Sequence, residues 1–366
     1  MRHFFLGMLC LGLGWAVRAQ DGQNQLEKQG PAGTVQEIEV KLKVGDKPPA
    51  LNASKWVKGT EVTSFEKGKV YVVEFWATWC GPCIVMMPHL SALQKEYADK
   101  SVTVIGFTAK DDDNTQAIVE EFVAKNGRNF HYTFAFADDR ATYDNWMKAA
   151  GQGGIPCTFV VDKEGKIAYI GHPMFLDIVL PKVVAGKWDG KEDTKKLAVV
   201  LKDFNLAHEA TRKPDFESGL NILEEFETKY PELNRIPYLI RPKINMMLKA
   251  GKKDDAKSYC AQLIDGAVKY DDPALLIAVA STLVGPNAKN DKGLAKLALV
   301  AANKAVAILG DKDLNGQVTL ARVAFSAGDK IIARKVADNA VEIAPAQNKE
   351  AIKKALKPIY DDSSNR

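Results

Sequence analysis

The chain has 366 residues, enough for two globular units at roughly 100–200 residues each. Apolar residues make up 46%, which allows buried cores and argues against wholesale disorder. Its 50 basic and 46 acidic side chains give a net charge of +4, a near balance that leaves no electrostatic footprint for nucleic acid or an anionic membrane.

At the N-terminus, Arg2 and His3 precede a mostly apolar run from Phe4 to Val17. The run is short of the about 20 residues that span a bilayer. Val17-Arg18-Ala19 is similar to the small-residue cleavage site of a secretory signal. Residues 1–19 are therefore expected to be a signal peptide that exports the chain, with Cys10 removed along with it. Arg18 fits poorly beside the cut, so an uncleaved anchor stays open. Export would place Cys80, Cys83, Cys157 and Cys260 where disulfides persist. They are too few for a disulfide scaffold and read as a working pair plus two others.

Residues 20–36 lack periodicity and read as a flexible leader. Between 37 and 186, strand-like and helix-like patterns alternate. Val70–Ala77 is β-branched and aromatic, a buried strand, and Pro82–Tyr97 follows as a helix. Val102–Phe107 is a strand, Thr115–Lys125 a helix, Phe130–Phe136 a strand and Ala141–Ala149 a helix. Thr158–Val161 and Lys166–Ile170 flank Asp162-Lys163-Glu164-Gly165, a hairpin signal. This order predicts a mixed sheet with helices packed on it.

From 191 to 366 the strand signal disappears and Ala, Leu, Lys and Glu take helical spacing. Leu320, Ala321, Gly328, Ala333, Ala340 and Pro345 have offsets similar to the tetratricopeptide pattern, in which small residues sit where two helices touch. Gly251 and Ala256 repeat the Gly328–Ala333 spacing. The phase markers Gly219, Ala256, Ala298 and Ala333 are unevenly spaced around the period of about 34 residues. An all-α helical-hairpin repeat domain is expected, with an irregular helical bundle as the alternative.

The chemistry concentrates at Cys80 and Cys83, after a buried strand and at the mouth of a helix. Residues three apart at a helix start share a face, so the two sulfurs can bond. Unpaired N–H groups and the positive helix end stabilise a thiolate, lowering a thiol pKa from about 8.5 toward about 7 or below. Pro82 is tolerated because a first-turn N–H has no helical partner. Cys80 is assigned as the attacking thiolate and Cys83 as the resolving thiol. A zinc ribbon would need a second cysteine pair, which the chain lacks. A static structural disulfide is the other reading; the strand-to-helix setting favours redox work. No metal site and no cofactor beyond the redox-active disulfide are expected. His89, His131, His172 and Cys260 are assigned structural roles, and Asp111-Asp112-Asp113 a solvated loop or helix cap.

The segment from Glu74 to Cys83 resembles the thioredoxin superfamily, and residues 44–186 resemble its exported TlpA/ResA-like branch. Gly45-Asp46-Lys47-Pro48-Pro49 is similar to the segment that opens redoxin domains. Pro88 occupies the place of the kinking proline in the active-site helix, and Phe107–Asp138 that of the branch's additional helix and strand. Gly154-Ile155-Pro156 is similar to the family's cis-proline loop, and Phe159–Ile167 to the hairpin that follows. The resemblance implies an α/β thioredoxin-like domain over 37–186, with a mixed central sheet flanked by helices. It implies that Pro156 is cis and faces Cys80, and that the Ile155 backbone pairs with an extended substrate. Trp79, Gly81, Pro82, Ile155 and Pro156 are then substrate-binding residues. A carboxylate at the place of Glu74 assists the second cysteine in the wider family, since a buried carboxyl has a raised pKa and can accept a thiol proton. The alternative is a strand-end glutamate facing solvent.

Two positions depart from the pattern. Ile84 stands where many thioredoxins have Lys or Arg. Cys157 stands where Thr is common, either as a third thiol able to bond Cys80 or help bind Cu(I), or as a small buried strand residue.

The leading functional expectation is an exported thiol–disulfide oxidoreductase, a reductase of disulfide-containing protein substrates fed by a membrane electron donor. The Gly-Pro pair between the cysteines resembles reducing thioredoxins. The rival is a redox-responsive binding scaffold whose helical repeats hold a protein partner. A thiol peroxidase is a third reading, and the proline- and threonine-containing loop that precedes a peroxidatic cysteine is absent before Cys80.

Overall fold

Six consecutive buried residues, Val70–Phe75 (β2), form the strand around which the sheet is built. A computed structural model describes residues 40–127, 130–288 and 291–362; the expected signal (1–19) and leader (20–36) lie outside them. β2 pairs in parallel with Val102–Ala109 (β3) and antiparallel with Cys157–Val161 (β5). A strand covered on both faces needs an unbroken apolar run, which β2 has apart from Glu74. Lys55–Lys58 (β1), Thr133–Ala137 (β4) and Ile167–Gly171 (β6) complete a 6-stranded mixed sheet of order β1-β4-β3-β2-β5-β6.

Alternation along β2 sorts its side chains into two cores. Tyr71, Val73 and Phe75 pack with Trp146, Cys157 and Phe159 on one face. Val70, Val72 and Trp76 pack on the other with Cys83, Met86 and Leu90 of Gly81–Glu96 (α1). Gln116–Asn126 (α2) is capped by Thr115 Oγ1, which accepts from the Ile118 N–H. The helix expected at 141–149 is α-helical only over Ala141–Tyr143 (α3) and continues as a π turn, Asp144–Lys148. Ala149 N–H reaches back five residues to the Asp144 carbonyl, and the wider turn buries Trp146 and Met147 side by side. The strand expected from Phe130 begins at Thr133, because His131 N–H is diverted to Ser91 Oγ on α1 at 2.9 Å.

After β6 the chain enters Leu176–Val184 (α4) and then a succession of helices: Glu192–Ala210 (α5), Phe216–Lys229 (α6), Pro237–Lys249 (α7), Lys253–Lys269 (α8) and Pro273–Leu283 (α9). Lys292–Leu309 (α10), Leu314–Ala327 (α11), Lys330–Ile343 (α12), Lys349–Ala355 (α13) and Lys357–Asp361 (α14) follow. Each helix from α5 to α12 packs on the next. Gly219, Ala256, Ala298 and Ala333 are all buried. Gly251 and Gly328, which share a spacing to Ala256 and Ala333, both have positive φ in the turns after α7 and α11. Among the described residues no helix is long and apolar enough to cross a membrane.

The sheet layer and the helical array share one apolar cluster, which runs from Val72 and Leu90 through Leu176 and Leu197 to Val323. α1 is the element between them, packed against β3 on one side and α7 and α9 on the other. Polar contacts set the fit. Buried Asp177 on α4 receives His89 Nε2 of α1 at 2.6 Å and Arg235 Nη2 at 2.9 Å. Arg235, just before α7, also bonds Glu96 at 3.1 Å, and Lys95 pairs with Asp271 between α8 and α9.

Burial opposes the Asp177 charge, and His89 and Arg235 outweigh it, holding the carboxyl below its ordinary value. A depressed carboxyl stabilises the folded state fully above its unfolded pKa, about 3.9, and loses that effect as pH falls through the folded value. Asp177→Asn should therefore cost about 3 kcal/mol at pH 7, read as a lower urea midpoint, and the gap to wild type should close in acid. Equal midpoints at pH 7 would show that the cluster adds no stability.

Candidate active site

The loop from β2 to α1 is pinned before it reaches the cysteines. Buried Asn114 accepts from both the N–H and the hydroxyl of Thr78 at 2.9 Å, and its amide donates to Thr108 Oγ1 and the Ala109 carbonyl. Thr108 Oγ1 in turn donates to the Trp76 carbonyl at 2.6 Å. Trp79, 57% exposed, is held at the rim by an indole N–H bond to Asp111 Oδ2 at 3.0 Å. The Asp111-Asp112-Asp113-Asn114 stretch thus includes two residues that shape the site. Only its cap-like composition hinted at Asn114.

Cys80 is the N-cap of α1 and is joined to Cys83 in a disulfide with S–S 2.05 Å and Cα–Cα 5.3 Å. Cys83 is fully buried and Cys80 nearly so, whereas Gly81 and Pro82 between them are exposed. Cys80 Sγ accepts the Cys83 N–H at 3.2 Å, a donor that the helix itself leaves unpaired. The same bond, with the helix dipole behind it, would favour a Cys80 thiolate in the reduced protein.

Glu74 lies in β2, in register with Gly106 and Thr158, on the face that carries α1. It is fully buried, so the solvent-facing alternative does not hold. Neither carboxyl oxygen has a protein hydrogen-bond partner among the described residues, and burial pushes its pKa up to about 8. Trp76 Nε1, Tyr132 OH and Thr158 Oγ1 are likewise buried without partners. Gly106 leaves room for this polar group: a Cβ there would lie 3.2 Å from both the Trp76 Nε1 and Tyr132.

Ile155-Pro156 is a cis peptide, as expected. It leads directly into β5, whose first residue pairs with Phe75 at the end of β2. Ile155 and Pro156 are half-buried and lie at the same end of the sheet as the Cys80 loop. Cys157 is not brought to the pair. It is a buried free thiol in the apolar cluster on the opposite face, with its Sγ 3.8 Å from Gln152 Oε1, and burial pushes its pKa up to about 12. That setting matches the small buried residue rather than a third redox thiol. Cys260, in α8, is also a buried free thiol pushed up to about 12.

Two residues at the site were not anticipated. Tyr238 of α7 donates its hydroxyl to the Pro82 carbonyl at 3.1 Å, and His172 stands edge-on to the Tyr238 ring at 5.7 Å between centroids. His172 Nδ1 accepts from the Met174 N–H, and burial pulls its pKa down to about 4, so the ring is neutral at pH 7. No local sequence signal joins position 238 to the cysteine motif.

The Redoxin family matches residues 43–176. Protein FixW of Rhizobium leguminosarum is 34% identical over 167 residues, which cover 44% of this chain and 76% of that protein. A thiol-disulfide oxidoreductase ResA of Bacillus cereus is 35% identical over 101 residues, 28% of this chain and about half (53%) of the ResA length. Among solved structures, a thioredoxin-family thiol:disulfide interchange protein from Chlorobium tepidum TLS is 24% identical, with a TM-score of 0.32. The match covers 38% of this chain and 97% of that one.

The raised Glu74 pKa makes stability fall with pH. The folded protein holds a proton between about pH 4.5 and 8 that the unfolded chain releases, so unfolding becomes easier as pH rises across that window. The slope is up to about 1.4 kcal/mol per pH unit. Glu74→Gln should flatten it in guanidinium titrations of the oxidised protein. Parallel pH profiles for wild type and variant would rule out a buried proton on Glu74.

Proposed function

This chain belongs to the redoxin family, among the ResA-like thiol–disulfide oxidoreductases, and from that premise we propose that it is an exported reductase of protein disulfides. The observation that carries the proposal is the Cys80–Cys83 disulfide at the start of α1, with Cys80 Sγ accepting the Cys83 N–H and buried Glu74 on the strand behind.

In the reduced enzyme, the Cys80 thiolate attacks one sulfur of a target disulfide. The target S–S bond breaks, its other sulfur leaves and takes up a proton, and a mixed disulfide to Cys80 remains. Cys83 then attacks Cys80 Sγ, releasing the second target sulfur as a thiol. Two electrons and two protons pass to the target, and the Cys80–Cys83 disulfide reforms. The Cys83 proton must go to a base on a buried face. Glu74 is the carboxylate available on that face, and a pKa near 8 leaves it partly ionised at neutral pH. The cycle closes when a dithiol donor, assigned to the membrane, returns two electrons. Exposed Trp79, Gly81 and Pro82, with the Ile155–Pro156 backbone at the same sheet end, form the rim on which an extended target strand would lie. The helical array adds a large second surface for protein partners.

Cys80→Ser should abolish dithiothreitol-driven insulin reduction, a loss of at least about a thousandfold if exchange runs through the thiolate. Cys83→Ser should hold targets on Cys80 as mixed disulfides, recoverable from cells on non-reducing gels. Retained turnover in Cys80→Ser would defeat the assignment.

A further inference from the structure

One peptide group links the helical array to the nucleophile. Tyr238, near the start of α7, donates to the Pro82 carbonyl at 3.1 Å. The nitrogen of that same peptide unit belongs to Cys83, and its N–H donates to Cys80 Sγ at 3.2 Å. The series is Tyr238 O–H to Pro82 C=O, then Cys83 N–H to Cys80 Sγ. Hydrogen bonds joined through an amide reinforce one another: a proton at the oxygen draws density from the nitrogen and makes its N–H a stronger donor.

We propose that Tyr238 is a positioning residue of the redox centre, strengthening the Cys83 N–H bond to Cys80 Sγ through the Pro82–Cys83 peptide and so stabilising the Cys80 thiolate. This rests on the oxidoreductase reading above and adds a contribution from outside the redoxin segment. The hydroxyl is held in place. α7 packs on α1, and Arg235 at its approach is bonded to Asp177 and Glu96. The ring sits against His172. Burial and the neighbouring Glu74 charge raise the Tyr238 pKa, which keeps the phenol a donor at neutral pH.

Among the described residues, the titratable groups around this end of α1 include Glu74 from β2, Tyr132 and Cys157 that feel its charge, Tyr169 bonded to the His172 carbonyl, His172 after β6, Asp111 beyond Trp79 and Tyr238 from α7. Of these, Tyr238 is the one whose side chain bonds the backbone between the two cysteines. A more stable thiolate favours the reduced form, so the array would make the pair more easily reduced and quicker to attack at a given pH.

The test uses the full-length reduced protein, following iodoacetamide alkylation of Cys80 against pH by mass spectrometry. Tyr238→Phe keeps the ring and removes the donor. The apparent Cys80 pKa should rise by about 0.3–0.5 unit, a two- to threefold loss of thiolate below the pKa. Incorporation of 3-fluorotyrosine at position 238 makes a more acidic donor and should move the pKa the other way. Equilibration with dithiothreitol should follow the same signs, the Phe variant being the harder to reduce. No shift in either variant, or shifts of the same sign in both, overturns the proposal. If Tyr238→Phe melts early, the fluorotyrosine protein, which preserves packing, decides alone. Failure of the wild type to reduce insulin would defeat the oxidoreductase reading instead, and leaves the pKa comparison intact.

Discussion

α1 is pressed between the sheet and the helical array, and the redox site depends on that confinement. Met86, Met87, Leu90 and Leu93 are all essentially inaccessible to water. Burial of each is worth about 1.5–3 kcal/mol. That sum exceeds anything the Asp177, His89 and Arg235 cluster supplies, since buried ion pairs recover little beyond their desolvation cost. Apolar packing therefore holds α1 down, and the polar cluster selects its register against α4 and α7. With the helix packed on both sides, the Cys83 N–H is held on Cys80 Sγ.

The site sets two buried effects against each other. Desolvation penalises every charge under α1, which is why Glu74 holds its proton and His172 loses its own near pH 7. At Cys80 the Cys83 N–H and the helix start would oppose that penalty once the pair is reduced. Glu74 and the cysteine pair thus share one face of the sheet, burial holding a proton on the first and a helix N–H bonded to Cys80 Sγ in the second. Cys157 and Cys260 carry the same atom away from a helix start, and burial, the first cause at both, keeps them as thiols.

Features with local causes were legible in the sequence. β2 announced itself as an apolar run, α1 by its proline and spacing, and the cysteine pair by lying between them. Pro156 needed the family resemblance, because nothing within the chain separates a cis turn from a trans one. The missed elements have non-local causes. β1, Lys-Trp-Val-Lys, is a short edge strand defined by its pairing with β4. α4 is a nine-residue apolar stretch with Pro181 inside it, a residue that argues locally against a helix. Asn114 has no local signal for its role, because Thr78, its partner, is 36 positions away. Tyr238 is separated from Pro82 by 156 positions, a distance no pattern of spacing bridges.

The shared apolar cluster also bears on how separable the two parts of the chain are. A repeat array tethered by a linker can be exchanged, lengthened or lost with little effect on its neighbour. Here Leu197, Leu220 and Ile240 belong to the same core as Leu90 and Val104. A change of volume on either side is therefore felt by the other. The redoxin layer and the array share one core, and a redoxin layer separated from this array would present to solvent a surface shaped for helices.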